Sequence, residues 1–205
     1  MKRTIPLDTE YFRAVNTLMT GTTFRGRPAL RVVRPAGITE PDIDTYARVR
    51  DLTLRDGDVT LRLCSRLLPD APAHARGFAG LVFRADRDDA AFEGFYVRPT
   101  NGRSCPDPDR RRHGCQYFAF PGFPFSWFRE RGLEGYEAPA DIDLDEWITI
   151  RAELRGARAA FYINGTPALT VPALLHGGGV FGGVGIFVDV GTECFVSELS
   201  VTGVG

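Results

Sequence analysis

The stretch WITIRAELRGARAAFYING, Trp147 to Gly165, alternates apolar and polar side chains residue by residue over its first half. Ile148, Ile150, Ala152 and Leu154 fall on one side and Thr149, Arg151 and Glu153 on the other, the pattern of a β-strand with one buried face. Gly156 interrupts the pattern, and a second strand-like run follows from Arg158. The pair Asn164-Gly165 then favours the tight turn in which both central residues take positive φ. The stretch reads as a β-hairpin followed by a further reversal.

Runs of the same character recur at short intervals on both sides of it: ALRVV, YARVRDLTL, DVTLRLCSRLL, GFAGLVFRA, FEGFYVRP and CQYFAF before, GGVGIFVDV and CFVSELSV after. Val59, Leu61 and Leu63 alternate with Thr60 and Arg62 just as the hairpin does. Turn-forming residues separate most of the runs, as in RDGD at Arg55 to Asp58. Only Thr9 to Met19 carries helical spacing, and its Tyr11, Phe12, Val15, Leu18 and Met19 suit a short amphipathic helix and an opening strand equally. With 23 glycines and 14 prolines at the joints and no alternation of strand with helix, the expected architecture is all-β, a two-sheet antiparallel β-sandwich.

A chain of 205 residues with 43% hydrophobic content suits one sandwich domain spanning residues 1–205. Its apolar runs, such as Gly183 to Val188, are too short to cross a bilayer, and MKRTIPLDTEYF lacks the apolar stretch of a secretory leader. The expected location is cytoplasmic, or secreted if a leader has been trimmed. A net charge of −1, with the basic residues scattered, speaks against a nucleic-acid partner. Cys64, Cys105, Cys115 and Cys194 are expected to be free thiols. The loop CPDPDRRRHGC, from Cys105 to Cys115, invites a metal reading through His113, but zinc sites show tighter paired spacing and a fourth ligand. No metal site and no cofactor are expected; Asp189 and Glu193, near the last turn, are the oxygens a structural calcium would use.

The order tryptophan strand, turn, FYING, then GGVGIFVDVGTECFVSELSV resembles the closing half of concanavalin A-like jelly rolls, in particular laminin-G-like and 3-keto-disaccharide hydrolase-like domains. FEGFYVRPTNGR, RRRHGCQYFAFP and GTECFVSELSV resemble a set of bacterial concanavalin A-like proteins of unsettled function. The resemblance covers about residues 24 to 203 and is strongest from Phe92 onward. It implies a jelly-roll fold and the handling of a saccharide at a concave sheet face. It does not imply a particular reaction, because one architecture hosts many activities.

Asp141 to Trp147, DIDLDEW, resembles the Glu-x-Asp-x-x-Glu of family 16 jelly-roll glycosidases. Retaining glycosidases need two carboxyls about 5 to 5.5 Å apart. Parity opposes that reading. Ile142 and Leu144 share the apolar side with Ile148 and Ile150, so an unbroken strand would bury Glu146, and a bulge would bury Arg151 and Glu153 instead. A polar loop ending at Trp147 buries no charge, and it matches the way the related domains approach this strand.

FEGFYVRPTNGR offers more. With Phe95 and Val97 in the core, Tyr96 and Arg98 project to the open side, and Asn101 and Arg103 follow in the loop. If Phe118 and Phe120 are also core, Tyr117 projects to that open side near His113. Arg98 would then neutralise an acidic group while His113 or Tyr117 acts as acid or base. In FPGFPFSWFRERG, Trp127 is the aromatic expected to be most exposed, for stacking on a sugar ring. HGGGVFGG lacks the Lys-Ser/Thr and helix of a phosphate loop, and no serine triad is legible.

The expected site is therefore Tyr96, Arg98, Asn101, Arg103, Tyr117 and Trp127 for a saccharide, with His113, Tyr117 and Arg98 as the catalytic set if the chain is an enzyme. The functional expectation is a lectin-like carbohydrate-binding module with no membrane or nucleic-acid partner. A glycoside hydrolase or polysaccharide lyase on the same face, or a protein-interaction module, are the alternatives.

Overall fold

The computed structural model describes residues 2–38 and 43–203. In chain order their strands are β1 (Lys2–Thr4), β2 (Phe12–Val15), β3 (Leu18–Phe24), β4 (Arg27–Val33), β5 (Tyr46–Val49), β6 (Gly57–Leu67), β7 (Ala79–Ala85), β8 (Phe92–Val97), β9 (Cys115–Phe120), β10 (Glu137–Ala138), β11 (Trp147–Arg155), β12 (Arg158–Ile163), β13 (Thr166–Val171), β14 (Gly183–Val188) and β15 (Thr192–Gly203). Two short helices interrupt them, α1 (Pro108–Arg111) and α2 (Phe125–Glu130). The larger sheet runs β13-β12-β11-β6-β15-β4-β3, with β1 also paired to β15, and the smaller runs β10-β9-β8-β7-β14-β5-β2. Neighbouring strands are antiparallel throughout. The fold is a jelly-roll β-sandwich.

The hairpin forms as its residues dictate. Arg155 pairs with Arg158 across Gly156, whose φ is +55°. Asn164 and Gly165, at φ +50° and +82°, turn the chain into β13, where Pro167 sits on an edge strand that has no outer partner to lose. Thr9 to Met19 resolves as strand: a single 3-10 turn at Thr9–Tyr11, then β2, then a reversal at Asn16 (φ +49°) into β3. β2 joins the smaller sheet and β3 the larger, so this short segment crosses between the layers.

The inner faces meet in one core. β6 supplies Val59, Leu61 and Leu63, β11 supplies Ile148, Ile150, Ala152 and Leu154, and the smaller sheet answers with Leu81, Phe83, Phe95, Val97 and Ile186. Phe95 and Phe161 stack across the layers with ring centroids 4.3 Å apart. Burial of each such side chain is worth about 1.5 to 3 kcal/mol. The four cysteines are buried free thiols, and burial pushes Cys64 up to about 11 and Cys115 to about 12.

DIDLDEW is a loop, and β11 begins at its tryptophan. Ile142 is fully buried while the Asp141 side chain is 86% exposed, and Asp145 turns at φ +64° just before the strand. Asp141, Asp143 and Glu146 all face the guanidinium of Arg103. The acids therefore form an exposed ion cluster around one cation, not a pair across a cleft.

Candidate functional site

The smaller sheet has a second, outward face, and it is aromatic. Successive residues of a strand point to opposite sides, so Phe95 and Val97 enter the core while Phe92 and Tyr96 face out. β9 follows in register: Phe95 lies opposite Tyr117, and Tyr96 opposite Gln116. The outward set Tyr46, Phe92, Tyr96, Phe118 and Phe187 forms its own cluster. Tyr96 lies 5.3 Å from Phe118 and 5.4 Å from Phe187 between ring centroids, and Phe118 lies 5.1 Å from Phe187. Gly94 makes room for this packing, because a Cβ there would come within 2.3 Å of the Phe118 ring.

A recess of about 80 Å³ opens on this floor. Tyr96, Phe118 and Phe187 line its base, Phe78, Phe120 and Phe125 its sides, and Asp189 its rim. Phe125, at the start of α2, is 39% exposed. It is held between two cations, with the Arg98 and Arg129 guanidinium carbons 5.6 and 5.0 Å from its ring centroid. At the rim, Asp189 Oδ1 accepts from Arg34 and from the Val190 amide. Among the described residues its Oδ2 accepts no hydrogen bond.

A polar wall runs beside the recess. In register, Glu137 of β10 sits next to Gln116, which sits next to Tyr96. Arg98 is buried and donates to Glu137 Oε1 at 2.6 Å, to the Tyr96 hydroxyl at 2.8 Å and to Gln116 Oε1. Arg129 forks onto the same carboxylate at 2.8 and 2.7 Å. Burial alone would raise the Glu137 pKa, but the two arginines outweigh it and hold the carboxyl below its usual range. His113 Nδ1 lies 3.1 Å from Glu137 Oε2 without hydrogen-bond alignment. Burial lowers the imidazole pKa against the pull of that carboxylate.

Tyr96 and Arg98 thus stand on the outward face, as their parity requires. Tyr117 does not join them. It is fully buried in the inter-sheet core, where its hydroxyl donates to Glu93 at 2.5 Å and accepts from the Leu175 amide at 2.9 Å. Desolvation raises its pKa, and the Glu93 charge raises it further. The expectation for Tyr117 fails because Phe118 and Phe120, assumed to be core, face outward, and Gln116 with them. Asn101 is also buried, donating to the His113 carbonyl and accepting from Arg110, so it braces the 98–114 loop and offers nothing to a ligand. Arg103 belongs to the DIDLDEW cluster. Trp127 is half-buried against Phe123 and Phe128, with Arg131 over its ring, and does not line the recess. The exposed aromatic of that segment is Phe125. Asp189 pairs with Arg34, and Glu193 with Arg31 and Arg66.

Glu137, Phe118, Phe125 and Phe187 are the site residues that the sequence reading missed. Phe187 could have been found, since GVGIFV alternates and Ile186 takes the core side. Glu137 lies on a two-residue strand, which carries no periodic signal.

No family model matches the chain, and no curated protein matches it. Solved structures do. A carbohydrate-binding module, CBM66, from Bacillus subtilis aligns over 92% of this chain and 94% of its own at 15% identity, with a TM-score of 0.61. A Bacillus subtilis protein of unknown function with a galectin-like fold aligns over 97% and 94% at 13% identity and 0.59. A native glycosidic hydrolase aligns over 100% and 96% at 13% identity and 0.52. At these identities the likeness establishes architecture: the chain has the β-sandwich jelly-roll fold that these carbohydrate-binding and glycosidase structures share.

Proposed function

We propose that the protein is a lectin-like module that binds a terminal sugar residue in the aromatic recess of the smaller sheet. The carrying observation is the floor of Tyr96, Phe118 and Phe187 beneath the exposed Phe125, with Asp189 at the rim, whose Oδ2 accepts no hydrogen bond among the described residues. Flat apolar rings beside a hydrogen-bond acceptor match a pyranose or furanose, whose C–H face is apolar and whose hydroxyls radiate from its edge. About 80 Å³ lies far below the roughly 300 Å³ of an ordinary small-molecule pocket. A chain end fits that space better than a polymer laid along the sheet. The fold shared with a carbohydrate-binding module supports the same reading.

A binding role is favoured over catalysis because the two residues expected to do acid–base work, His113 and Tyr117, are divided by the sheet. Arg98 and His113 face outward with Glu137, while Tyr117 is sealed inside with Glu93.

A glycan array followed by calorimetry tests the proposal. Wild-type protein is expected to bind a saccharide with a free terminal residue, and Phe125→Ala to weaken that binding about tenfold, the loss of one stacked ring. Absence of binding to any saccharide on the array would overturn it.

A further inference from the structure

Toward the β5–β2 edge of the smaller sheet, a cleft of about 520 Å³ gathers four arginines, Arg13, Arg48, Arg50 and Arg87. Arg13 and Arg48 are cross-strand neighbours. Both bind the buried carboxylate of Asp89, which also accepts the Tyr46 hydroxyl. One negative charge thus serves two guanidinium groups and holds both in place. Arg50 spends its Nε on the Phe12 carbonyl at 2.9 Å, and among the described residues its two Nη nitrogens have no partner. Arg87 is exposed and, among the described residues, makes no hydrogen bond or ion pair. Asp51 is the one acid in the lining; it is exposed, its carbonyl accepts from Arg3 at 3.2 Å, and its carboxylate forms no ion pair among the described residues. Within the lining itself four arginines stand with one acid, while Asp89 beneath Arg13 and Arg48, and Asp86 and Asp88 on either side of Arg87 in the chain, lie next to it.

We propose that this cleft binds an oxyanion: a sulfate ester, a phosphate ester or a carboxylate. Guanidinium groups present paired N–H donors whose spacing matches two oxygens of such a group. A cleft with surplus positive charge also concentrates anions from solution. Arg13 and Arg48, anchored by Asp89, supply a fixed positive wall, and the free Nη nitrogens of Arg50 with the Arg87 side chain supply the contacts. The proposal does not rest on the sugar reading of the recess, which is built on β8, β9 and β14.

The test is an NMR titration of the full chain at low ionic strength, where screening is weak, following the arginine Nε–Hε signals. Inorganic sulfate, inorganic phosphate and glucuronate serve as separate probes, and the preferred one distinguishes a tetrahedral ester from a carboxylate. At least one is expected to shift the Arg50 and Arg87 signals saturably. Arg50→Gln combined with Arg87→Gln is expected to weaken binding by about tenfold or more, as loss of charge-assisted hydrogen bonds requires. Arg87→Gln alone, which removes no described contact, gives a smaller loss in the same direction and serves if the double variant misfolds. Arg158→Gln, an exposed change on β12, leaves binding unaltered. Absence of saturable shifts with all three anions, or equal binding by the double variant, would sink the proposal.

Discussion

Glu137, half-buried, and Glu93, fully buried, lie on opposite faces of the same sheet, and they behave in opposite ways. Glu137, on the outward side, meets two guanidinium groups directly and is held below the usual carboxylate range despite its burial. Glu93, on the inward side, is fully buried and accepts only the Tyr117 hydroxyl and the His176 amide. Desolvation dominates there and raises its pKa. A cation does lie nearby, but Arg84 spends its donors on the carbonyls of Arg55, Gly156 and Gly177 and on the Asp56 carboxylate, and reaches Glu93 only through space. Burial disfavours the charged form of both carboxyls; two directly hydrogen-bonded guanidinium groups outweigh it at Glu137, and the partners of Glu93 do not.

The largest expected effect tests the outward site. Glu137→Ala leaves Arg98 buried without its counter-charge, and urea denaturation at pH 7 should show a loss of about 3 to 5 kcal/mol. The double variant Arg98→Met/Glu137→Leu should recover most of it. A single-variant loss under about 1 kcal/mol would break the comparison, because Arg98 would then need no partner.

Next in size is the inward site. Tyr117→Phe removes the hydroxyl from Glu93 and from the Leu175 amide at once, a cost of about 1 to 3 kcal/mol. Tyr96→Phe leaves the Arg98–Glu137 pair intact and should cost only about 0.5 to 1.5 kcal/mol. The reverse order would mean that the two phenols have been placed on the wrong faces.

The two glutamates should also pull stability in opposite directions with pH. Glu93 binds its proton more tightly in the folded chain, so its contribution falls as pH rises from about 4.5 through its raised folded value. Glu137 binds its proton less tightly when folded, so its contribution is fully present above about 4.5 and is lost as pH falls through its lowered folded value. Urea midpoints taken between pH 3 and 7 should therefore lose their decline toward neutral pH in Glu93→Gln and their acid-side drop in Glu137→Gln. Identical profiles for the two variants would remove the distinction.

The smallest change is expected in the DIDLDEW loop. Arg103→Gln dissolves the ion cluster, yet Arg103 and Asp141 are exposed and Asp143 and Glu146 only half-buried, and the cost should stay within about 1 kcal/mol. A larger loss would mean that the loop shapes the approach to β11 through charge.

Much of the fold was readable because it is written locally. Alternation in β6, β8 and β11, and the turns at Gly156 and Asn164-Gly165, depend on residues within a few positions of one another. That DIDLDEW is a loop follows from the same local parity. The site was half readable for the same reason: Phe95 and Val97 placed Tyr96 and Arg98 on the outward face. In CQYFAF both parities are plausible cores, Cys115, Tyr117 and Ala119 on one side and Gln116, Phe118 and Phe120 on the other. The 98–114 loop before it is too long to set a register through turn geometry.

Alternation, turn chemistry and the scarcity of helical spacing were sufficient for a two-sheet antiparallel sandwich, since each acts over a turn or a strand. Which face of β9 is core, which carboxylate meets which arginine, and that Asp89 gathers Arg13 and Arg48 were settled by strand pairings between distant segments. The bulge at Arg84 is of the same kind: its φ of +54°, opposite the irregular stretch of β14, turns toward the core a guanidinium that strict alternation would send outward. Such pairings are decided by the energy of the whole sheet, and a single strand carries too little of it to show the outcome.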